Sequence, residues 1–416
     1  MEKAKPQIIL VAYHFPPAQE IGGFRPFRFY KCLKRMGYVC HVITASEPED
    51  ECPADVVHVP DHLRPIWEGW TKQRLSFKTW VELLIRKLMF PGHIGILWSV
   101  EVAARCRQIL RDHPQHRFVL FSTYPPLGVL LAGLIVQLRE RIPWIADFRD
   151  PISGVGVWVG LLPWYARFWN HLLEAFVFRT ASAVVANVEG AATVWRNRYP
   201  WAQRKLHVIC NGFDPDDAPA ARELPPRNQK VILHAGALYH GRNPNLLIES
   251  LSRLRKKGMS EACCVSILLV GAVDSKAGLD PALYDEAERD GWLEVRPAVP
   301  KRESQRMMEE ADGLLLVQPQ SNIQIPGKLF EYICIGRPIL ALVPQRSAVE
   351  QILEKAGVPY VCVYADDEME AVDRKLLAFL RLPTAPTLYN AWFRNNFNAE
   401  YQAEQLAAII GAIQLI

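Results

Sequence analysis

Short apolar runs alternate with amphipathic segments along the whole chain. The apolar runs of the first half are IILVAY (8–13), YVCHVITA (38–45), FVLFST (118–123), WIADF (144–148), SAVVAN (182–187) and KLHVICNGFD (205–214). Nearly continuous apolar runs of this length are typical of strands that are covered on both faces. Because segments with helical spacing separate them, the pattern predicts a doubly wound, parallel α/β sheet.

The second half repeats this rhythm after a segment rich in proline, alanine and charge, PDDAPAARELPPRNQK (215–230), which is typical of a linker. Its apolar runs are VILHAGAL (231–238), VSILLVGA (265–272), LEVRPAV (293–299), GLLLVQ (313–318), PILALV (338–343) and YVCVY (360–364). At 416 residues the chain also exceeds what one hydrophobic core usually holds. We therefore predict two Rossmann-like domains, 1–215 and 216–390, and a last amphipathic helix within 391–416.

The composition narrows the class of protein. Half of the residues are hydrophobic and 22% are charged, as in an ordinary soluble globular protein. The formal charge of +4 suits anionic ligands or an anionic membrane face, but the dense Lys/Arg blocks of a nucleic-acid binder are absent.

The nine cysteines are scattered, odd in number and without metal-binding spacing, which favours a reducing compartment. We expect Cys263 and Cys264 to act as small apolar side chains inside a strand. The run at 8–13 is too short for a signal peptide, and the apolar stretch at 155–169 is broken by Pro163. These features predict a cytoplasmic protein.

The segment IPGKLFEYICIGRPIL (325–340) places two charges in an otherwise apolar run. Pro326 and Gly327 fit the start of a helix, whose free N–H groups favour a phosphate. Lys328 adds a positive charge, and Glu331, one turn on, is placed to accept hydrogen bonds from ribose hydroxyls. In the alternative interpretation, Glu331 only complements the helix dipole and Lys328 is solvated.

This segment resembles the nucleotide-sugar segment of bacterial family 4 glycosyltransferases, which have the GT-B fold. Five other stretches resemble that family in the same order: AYHFPPAQEIGGFRPFRF, FSTYPPLGVLLAG, PWIADFRDP, VICNGFD and ILHAGALYHGRNPNLLIESL. The resemblance implies two Rossmann-like domains facing a central cleft, with the donor in the C-terminal one. It also implies a UDP- or GDP-linked sugar as co-substrate, no other cofactor, no metal, and retention of the anomeric configuration. The last helix would cross back to the N-terminal domain.

The resemblance assigns roles to individual residues. Arg242 and Lys328 would stabilise the diphosphate leaving group. The remaining donor-binding residues would be Glu331, Gly327, Leu329, Gly236, Gly271, Gly22 and Gly23. The sequence departs from the family at two places: Ile323 replaces the first of two glutamates, and Ala237 stands where an arginine is common.

The segment DFRDP (147–151) follows an apolar strand. Asp147 or Asp150 would orient the acceptor hydroxyl or assist its deprotonation. The alternative is an Asp–Arg lattice that holds the loop. The glycine pair Gly22-Gly23 follows a strand and precedes a helix, either to contact phosphate or sugar or as a plain turn.

Three further polar residues or pairs could bind a ligand or a metal ion. His14 follows the first strand and is a weaker ligand candidate. His234 is interpreted as a satisfied core histidine, and the pair Asp214 and Asp216 is rejected as a metal site.

Residues 62–98 mix tryptophans with cations, and 155–169 adds further tryptophans. This composition suits a membrane interface or a lipid-linked acceptor, which would place the protein at the inner face of the membrane. The alternative is aromatic helices packed within an insertion. The residues concerned are Arg64, Trp67, Trp70, Lys72, Arg74, Lys78, Trp80, Arg86, Lys87, Trp158, Trp164 and Trp169.

The predicted function is transfer of a sugar to an acceptor hydroxyl on a polysaccharide, glycolipid or lipid-linked intermediate of the cell envelope. Two alternatives stay open. A sugar-nucleotide epimerase can have the same architecture, and a non-catalytic nucleotide-sugar-binding scaffold is conceivable because Ile323 replaces an acid. No nucleic-acid partner is expected.

Overall fold

The computed structural model describes residues 5–16, 21–47, 53–63, 77–91, 93–153, 162–219, 224 and 227–413. By its contacts the chain divides into two units. The first unit is Met1–Asn211 with Ala399–Ile416, and the second is Gly212–Asn398. The limits expected at 215 and 390 therefore lie close to these divisions, but the short segment 391–398 belongs to the second unit.

The first unit contains a parallel seven-stranded sheet with the strand order β3-β2-β1-β4-β5-β6-β7. The strands are β1 (Gln7–Val11), β2 (Cys40–Thr44), β3 (Val56–His58), β4 (Phe118–Tyr124), β5 (Trp144–Phe148), β6 (Ala183–Ala186) and β7 (Leu206–Val208). The strand order reverses between β1 and β4, where Ile9 pairs with His41 on one side and with Leu120 on the other. In open α/β sheets, such a reversal is where ligands bind.

The helices of the first unit cover both faces of this sheet. They are α1 (Ile21–Arg35), α2 (Phe77–Leu88), α3 (Trp98–Asp112), α4 (Leu127–Glu140), α5 (Trp164–Thr180) and α6 (Glu189–Arg198), with a 3₁₀ turn at Pro200–Lys205.

The second unit repeats the plan with a six-stranded parallel sheet in the order β10-β9-β8-β11-β12-β13. The strands are β8 (Lys230–Ala235), β9 (Val265–Val270), β10 (Leu293–Arg296), β11 (Gly313–Val317), β12 (Ile339–Leu342) and β13 (Tyr360–Val363). The order reverses between β8 and β11. The prediction of two parallel, doubly wound α/β sheets is confirmed.

The helices of the second unit are α7 (Asn245–Lys256), α8 (Ser260–Cys263), α9 (Pro281–Arg289), α10 (Lys301–Glu310), α11 (Lys328–Ile335), α12 (Ala348–Ala356), α13 (Met369–Leu380) and α14 (Ala391–Phe397), with a 3₁₀ turn at Ser275–Ala277. None of the helices described for either unit is long and apolar enough to cross a membrane.

The last helix, α15 (Ala399–Ile413), belongs to the first unit. It is amphipathic, and Ala403, Leu406 and Ile410 on its buried face are fully buried. They join the core that contains Leu10 of β1 and Leu33 of α1. The helix therefore closes one face of the first sheet.

Two local predictions were wrong. Strand β3 was missed because it has only three residues, all partly exposed, so it shows no long apolar run. Cys263 and Cys264 are exposed rather than buried. The short helix α8 ends at Cys263, and β9 begins only at Val265.

Candidate functional site

The two charges in the 325–340 segment lie in the first turn of α11. Lys328 Nζ is 3.0 Å from Glu331 Oε2 and 3.4 Å from Ser304 Oγ of α10. Their side chains remain 29% and 28% exposed, whereas the other side chains of α11 are buried. The pair is therefore an accessible charged group at the start of a buried helix.

Gly327 precedes this turn and is not required by the fold. Its φ of −57° is open to any residue, and no atom lies within 4 Å of the place where a Cβ would stand. By contrast, Gly336 ends the helix with a φ of 72°, which favours glycine. Open space therefore remains beside the backbone of the first turn.

Leu329, also predicted to bind the donor, is fully buried. Its N–H donates to the Pro326 carbonyl at 3.0 Å, and the next N–H, of Phe330, donates to the Gly327 carbonyl at 3.3 Å. A ligand at the start of α11 would therefore meet the N–H groups of Gly327 and Lys328. A direct ligand contact through Leu329 stays a prediction without support from this geometry.

His234 lies at the carboxyl end of β8 and is 6% exposed. Its Nδ1 is 2.9 Å from the Leu315 carbonyl, whereas Nε2 has no hydrogen-bond partner among the described residues. Burial, and to a lesser degree the charges of Arg242 and Lys328, lowers the pKa of His234 to about 4. The ring is thus neutral at pH 7: Nδ1 donates its proton to Leu315 and Nε2 is an acceptor.

The interpretation of His234 as a satisfied core histidine is therefore wrong in one respect, since one ring nitrogen is left over. That nitrogen borders Gly236, where a Cβ would lie 3.4 Å from it, at ordinary contact distance. Packing therefore does not require glycine at position 236.

Gly271, at the end of β9, is required by the fold. A Cβ there would overlap the carbonyl oxygen of Gly236. The N–H of Gly236 in turn donates to the Val270 carbonyl at 2.9 Å. Gly271 thus holds the ends of β8 and β9 close together and positions Gly236.

Arg242 lies in the loop after β8, with its guanidinium 4.4 Å from the centre of the Tyr239 ring. Gly241 beside it has a φ of 73°, and Gln320 fills the side where a Cβ would point. The charges of Arg242 and Lys328 both contribute to lowering the pKa of His234. Gln320 and Ser304 could not be found from the sequence, because their contacts with Gly241 and Lys328 are distant in the chain.

In the first unit, Asp147 is the second-last residue of β5 and is fully buried. Arg25 donates to both of its oxygens, at 3.0 and 2.8 Å, and Thr123 donates to Oδ2 at 2.7 Å. Arg25 also donates to the carbonyl of Ile209 at 2.8 Å. This is the Asp–Arg lattice of the alternative interpretation, and the catalytic role of Asp147 stays a prediction.

Arg149 connects the end of β5 to the glycine pair. Its guanidinium donates to the carbonyl of Gly22 at 2.6 Å and to that of Pro125 at 2.7 Å. Asp150, next in the chain, is exposed. Of the two predicted carboxylates, only Asp150 is accessible to an acceptor.

The glycine pair lies inside the first turn of α1, not before the helix as expected. A Cβ on Gly22 would lie 2.9 Å from the His14 ring, and one on Gly23 would lie 3.3 Å from the backbone of Phe15. Both glycines thus allow α1 to pack on the loop after β1. A contact of the glycine pair with a ligand stays a prediction.

The remaining polar residues near the strand ends have structural contacts. Asn187, after β6, donates to the Arg149 carbonyl at 3.2 Å, and Val188 is the N-cap of α6. Glu189 pairs with Arg196. Asp214 accepts the N–H of Asp216 at 3.1 Å, which is a turn interaction.

Part of the predicted aromatic and basic surface lies outside the described residues: Arg64, Trp67, Trp70, Lys72, Arg74, the side chain of Lys78, and Trp158. Of the described part, Trp80 and Trp164 are exposed, by 52% and 75%.

Comparisons with known proteins agree with this architecture. The model of Glycosyltransferase Family 4 matches residues 27–217. A 2-deoxystreptamine glucosyltransferase of Streptomyces kanamyceticus is 21% identical over 262 residues, which is 60% of this chain and 66% of that protein. The chain thus spans just under two thirds of that relative.

Three solved structures share the fold over nearly their whole length. The UDP-forming α,α-trehalose-phosphate synthase of Burkholderia vietnamiensis has a TM-score of 0.66 at 12% identity, covering 99% of this chain and 98% of that one. HepE of Anabaena, solved in complex with UDP-glucose, has a TM-score of 0.54 at 13% identity, covering 98% and 100%. UDP-N-acetylglucosamine 2-epimerase of Methanocaldococcus jannaschii has a TM-score of 0.54 at 11% identity, covering 98% and 99%.

The chain resembles Glycosyltransferase Family 4 over residues 27–217 and a glucosyltransferase over part of its length, and the solved structures show that it has the GT-B fold.

Proposed function

We propose that this protein transfers a sugar from a UDP- or GDP-linked donor to an acceptor hydroxyl, with retention of the anomeric configuration and without a metal ion. The acceptor would be a polysaccharide, a glycolipid or a lipid-linked intermediate. The donor would bind in the second unit.

The observation that carries this proposal is the start of α11. Gly327 is a glycine without a structural reason, and it stands directly before an accessible Lys–Glu pair. Open space, free N–H groups and a cation suit a phosphate at a helix N-terminus. A carboxylate one turn deeper suits the vicinal hydroxyls of a ribose, because charged acceptors form stronger hydrogen bonds.

A second cation, Arg242, and a second glycine that packing does not require, Gly236, follow β8 in the chain. Arg242 and Lys328 would stabilise the negative charge that develops on the departing diphosphate. Fixed charges and N–H donors of this kind can supply several kcal/mol to such a step. The Nε2 of His234 would accept a hydrogen bond from a hydroxyl of the bound donor, beside Gly236.

On the acceptor side, Asp150 is the accessible carboxylate. It would orient the attacking hydroxyl or accept its proton. Arg149 would fix this loop relative to the first turn of α1, through its bond to Gly22.

The relatives support a UDP-linked glucosyl donor most directly. HepE was solved with UDP-glucose, the trehalose-phosphate synthase is UDP-forming, and the Streptomyces relative is a glucosyltransferase. The epimerase is the second candidate, since it shares the fold. The glycosyltransferase family match and relative favour transfer.

Calorimetric titration with UDP, GDP and their sugar conjugates tests the donor site. Replacing Glu331 by alanine removes a charged hydrogen bond and should weaken nucleotide binding by about tenfold to a hundredfold. Gly327→Ala should weaken binding as well, because its methyl group would occupy the space assigned to phosphate. Lys328→Ala should lower turnover by about a hundredfold.

Two variants serve as controls. Glu370→Ala removes another first-turn glutamate that is paired with a cation, Arg253. Gly411→Ala fills another position with no atom within 4 Å. Both should leave nucleotide affinity unchanged, and unchanged affinity in Glu331→Ala would remove its assignment to the ribose.

Turnover assays separate the candidate functions. Transfer to an acceptor supports the proposal, an altered sugar without transfer supports an epimerase, and binding without turnover supports a scaffold. The configuration of the product, followed by NMR, tests retention. Undiminished activity in the presence of EDTA tests independence from metal.

A further inference from the structure

The outer face of α5 carries a line of exposed apolar side chains. Trp164, Phe168, Leu172 and Phe176 are 75%, 57%, 48% and 43% exposed. Their spacing of four residues places them along one side of the helix, which we call the α5 stripe. The opposite side of α5 is buried in the first unit, so both sides of the helix are apolar. Soluble monomers rarely expose an apolar surface this continuous.

The charges around the α5 stripe have one sign. Arg167, His171 and Arg179 are exposed on the same helix. Its one carboxylate, Glu174, is fully buried, where it accepts hydrogen bonds from Ser153 and Arg198 at 2.8 and 2.9 Å. The accessible side of α5 therefore offers apolar and basic groups and no acid.

This surface continues at the end of α5. Trp201 is 53% exposed and packs against Tyr199, which itself stacks on His171 with ring centres 6.2 Å apart. Lys205 Nζ donates to the carbonyl of Arg179 at 3.1 Å. A further tryptophan and a further cation thus adjoin the stripe.

Helix α2 repeats the pattern. Trp80, Leu84 and Leu88 are also four residues apart and are 52%, 39% and 56% exposed. Its last turn carries Arg86 and Lys87. His93 interacts with both helices: besides burial, the charge of Arg86, in the last turn of α2, lowers its pKa, and Asn170 of α5 forms a hydrogen bond with its ring.

We propose that the α5 stripe docks on the surface of an anionic lipid bilayer. Trp, Phe and Leu on one side of a helix, bordered by Arg and Lys, are the composition of helices that lie in the membrane interface. The apolar side chains would enter the acyl boundary. Arg167 and Arg179 would meet the negative head groups.

A second copy of the chain is a poorer occupant. A two-fold pairing of α5 stripes would bring the arginines of one copy, Arg167 and Arg179, near those of the other, where like charges repel. The bilayer supplies both the apolar phase and the opposite charge. The inference is independent of the donor chemistry, since membrane binding needs no substrate.

Vesicle flotation with the full-length protein tests the proposal. The probes are vesicles of phosphatidylcholine alone and vesicles of equal parts phosphatidylcholine and phosphatidylglycerol. The wild-type protein should partition onto the anionic vesicles about tenfold more strongly, and added salt should weaken this binding. The double variant F168S/L172S should lose about tenfold or more in partitioning, and so should R167E/R179E.

The control V100S/L138S replaces two apolar residues of similar exposure, 52% and 55%, on other helices of the first unit. It should bind as the wild-type protein does. Since all these positions are exposed, unchanged urea unfolding midpoints will show that the variants are folded.

The proposal is overturned if the wild-type protein does not float with anionic vesicles, or if F168S/L172S floats equally well. It is also overturned if sedimentation velocity shows a dimer that F168S/L172S dissociates. That result would assign the α5 stripe to self-association.

Discussion

Glycines near the predicted sites divide into two groups. Gly271 is required because a Cβ would overlap the backbone of Gly236, and Gly22 because one would crowd His14. Gly327 and Gly236 have room for a larger side chain. A glycine that the fold does not need is a stronger indication of a ligand than one that resolves a clash.

The two carboxylates of the 147–151 loop should respond differently to substitution. Asp147→Ala leaves the buried Arg25 guanidinium without its partner and should lower the free energy of unfolding by about 3–5 kcal/mol. Asp150→Ala should change it by about 0.5 kcal/mol or less, because this side chain is exposed. Urea unfolding measures both effects, and transfer assays on the folded variants should show the loss of activity in Asp150→Ala. Equal stability of the two variants would contradict the structural role of Asp147.

His234 should make stability depend on pH. Its pKa is about 4 in the folded protein and about 6.5 when unfolded, so its contribution is complete above pH 6.5 and is lost as pH falls toward 4. At pH 5 the loss should be about 2 kcal/mol. His234→Phe should reduce the difference between urea midpoints at pH 7.5 and pH 5. His93 is unchanged in this variant, and burial lowers its pKa to about 4 as well. It should therefore account for the pH dependence of stability that remains.

Among single residues, the sequence identified charges that interrupt an apolar run, such as Lys328 and Glu331. It could not show which buried polar groups lack a hydrogen-bond partner. The free nitrogen of His234 depends on Leu315 and Gly236, and the burial of Asp147 depends on Arg25, which is far away in the chain.

Among the elements, α15 belongs to the first unit although it follows the second unit in the chain. Leu406 is fully buried in the core of the first unit, so Leu406→Ala should destabilise the protein by about 2–5 kcal/mol. Leu138→Ala, at a site that is 55% exposed, is the matched control and should have little effect. Thermal or urea unfolding measures the difference. A neutral Leu406→Ala would mean that α15 does not stabilise this core.

Most strands could be predicted because parallel strands are covered on both faces and are therefore nearly all apolar. Strand β3 could not be predicted because it is an edge strand of three partly exposed residues.

The sequence also predicted the glycine pair before α1, whereas the pair lies inside the first turn of that helix. A glycine usually interrupts a helix, and only the packing against His14 and Phe15 explains why two begin this one.

For the whole molecule, the division into two units predicts different behaviour of fragments. The segment 212–398 is continuous and contains all six strands of its sheet and their core, so it should fold alone. The segment 1–211 lacks α15 and would expose the side of its core that contains Leu10 and Leu33. Circular dichroism and urea unfolding should show a cooperative transition for the 212–398 fragment and none for the 1–211 fragment. A cooperatively folded 1–211 fragment would contradict this prediction.

The placement of α15 also affects how the protein forms in the cell. A ribosome releases β1 and α1 early, but α15 emerges only after the entire second unit has been made. At ordinary rates of synthesis this delay is about ten seconds or more. Throughout that time the nascent first unit presents the apolar face that α15 will cover, which makes this face the natural binding place for a chaperone.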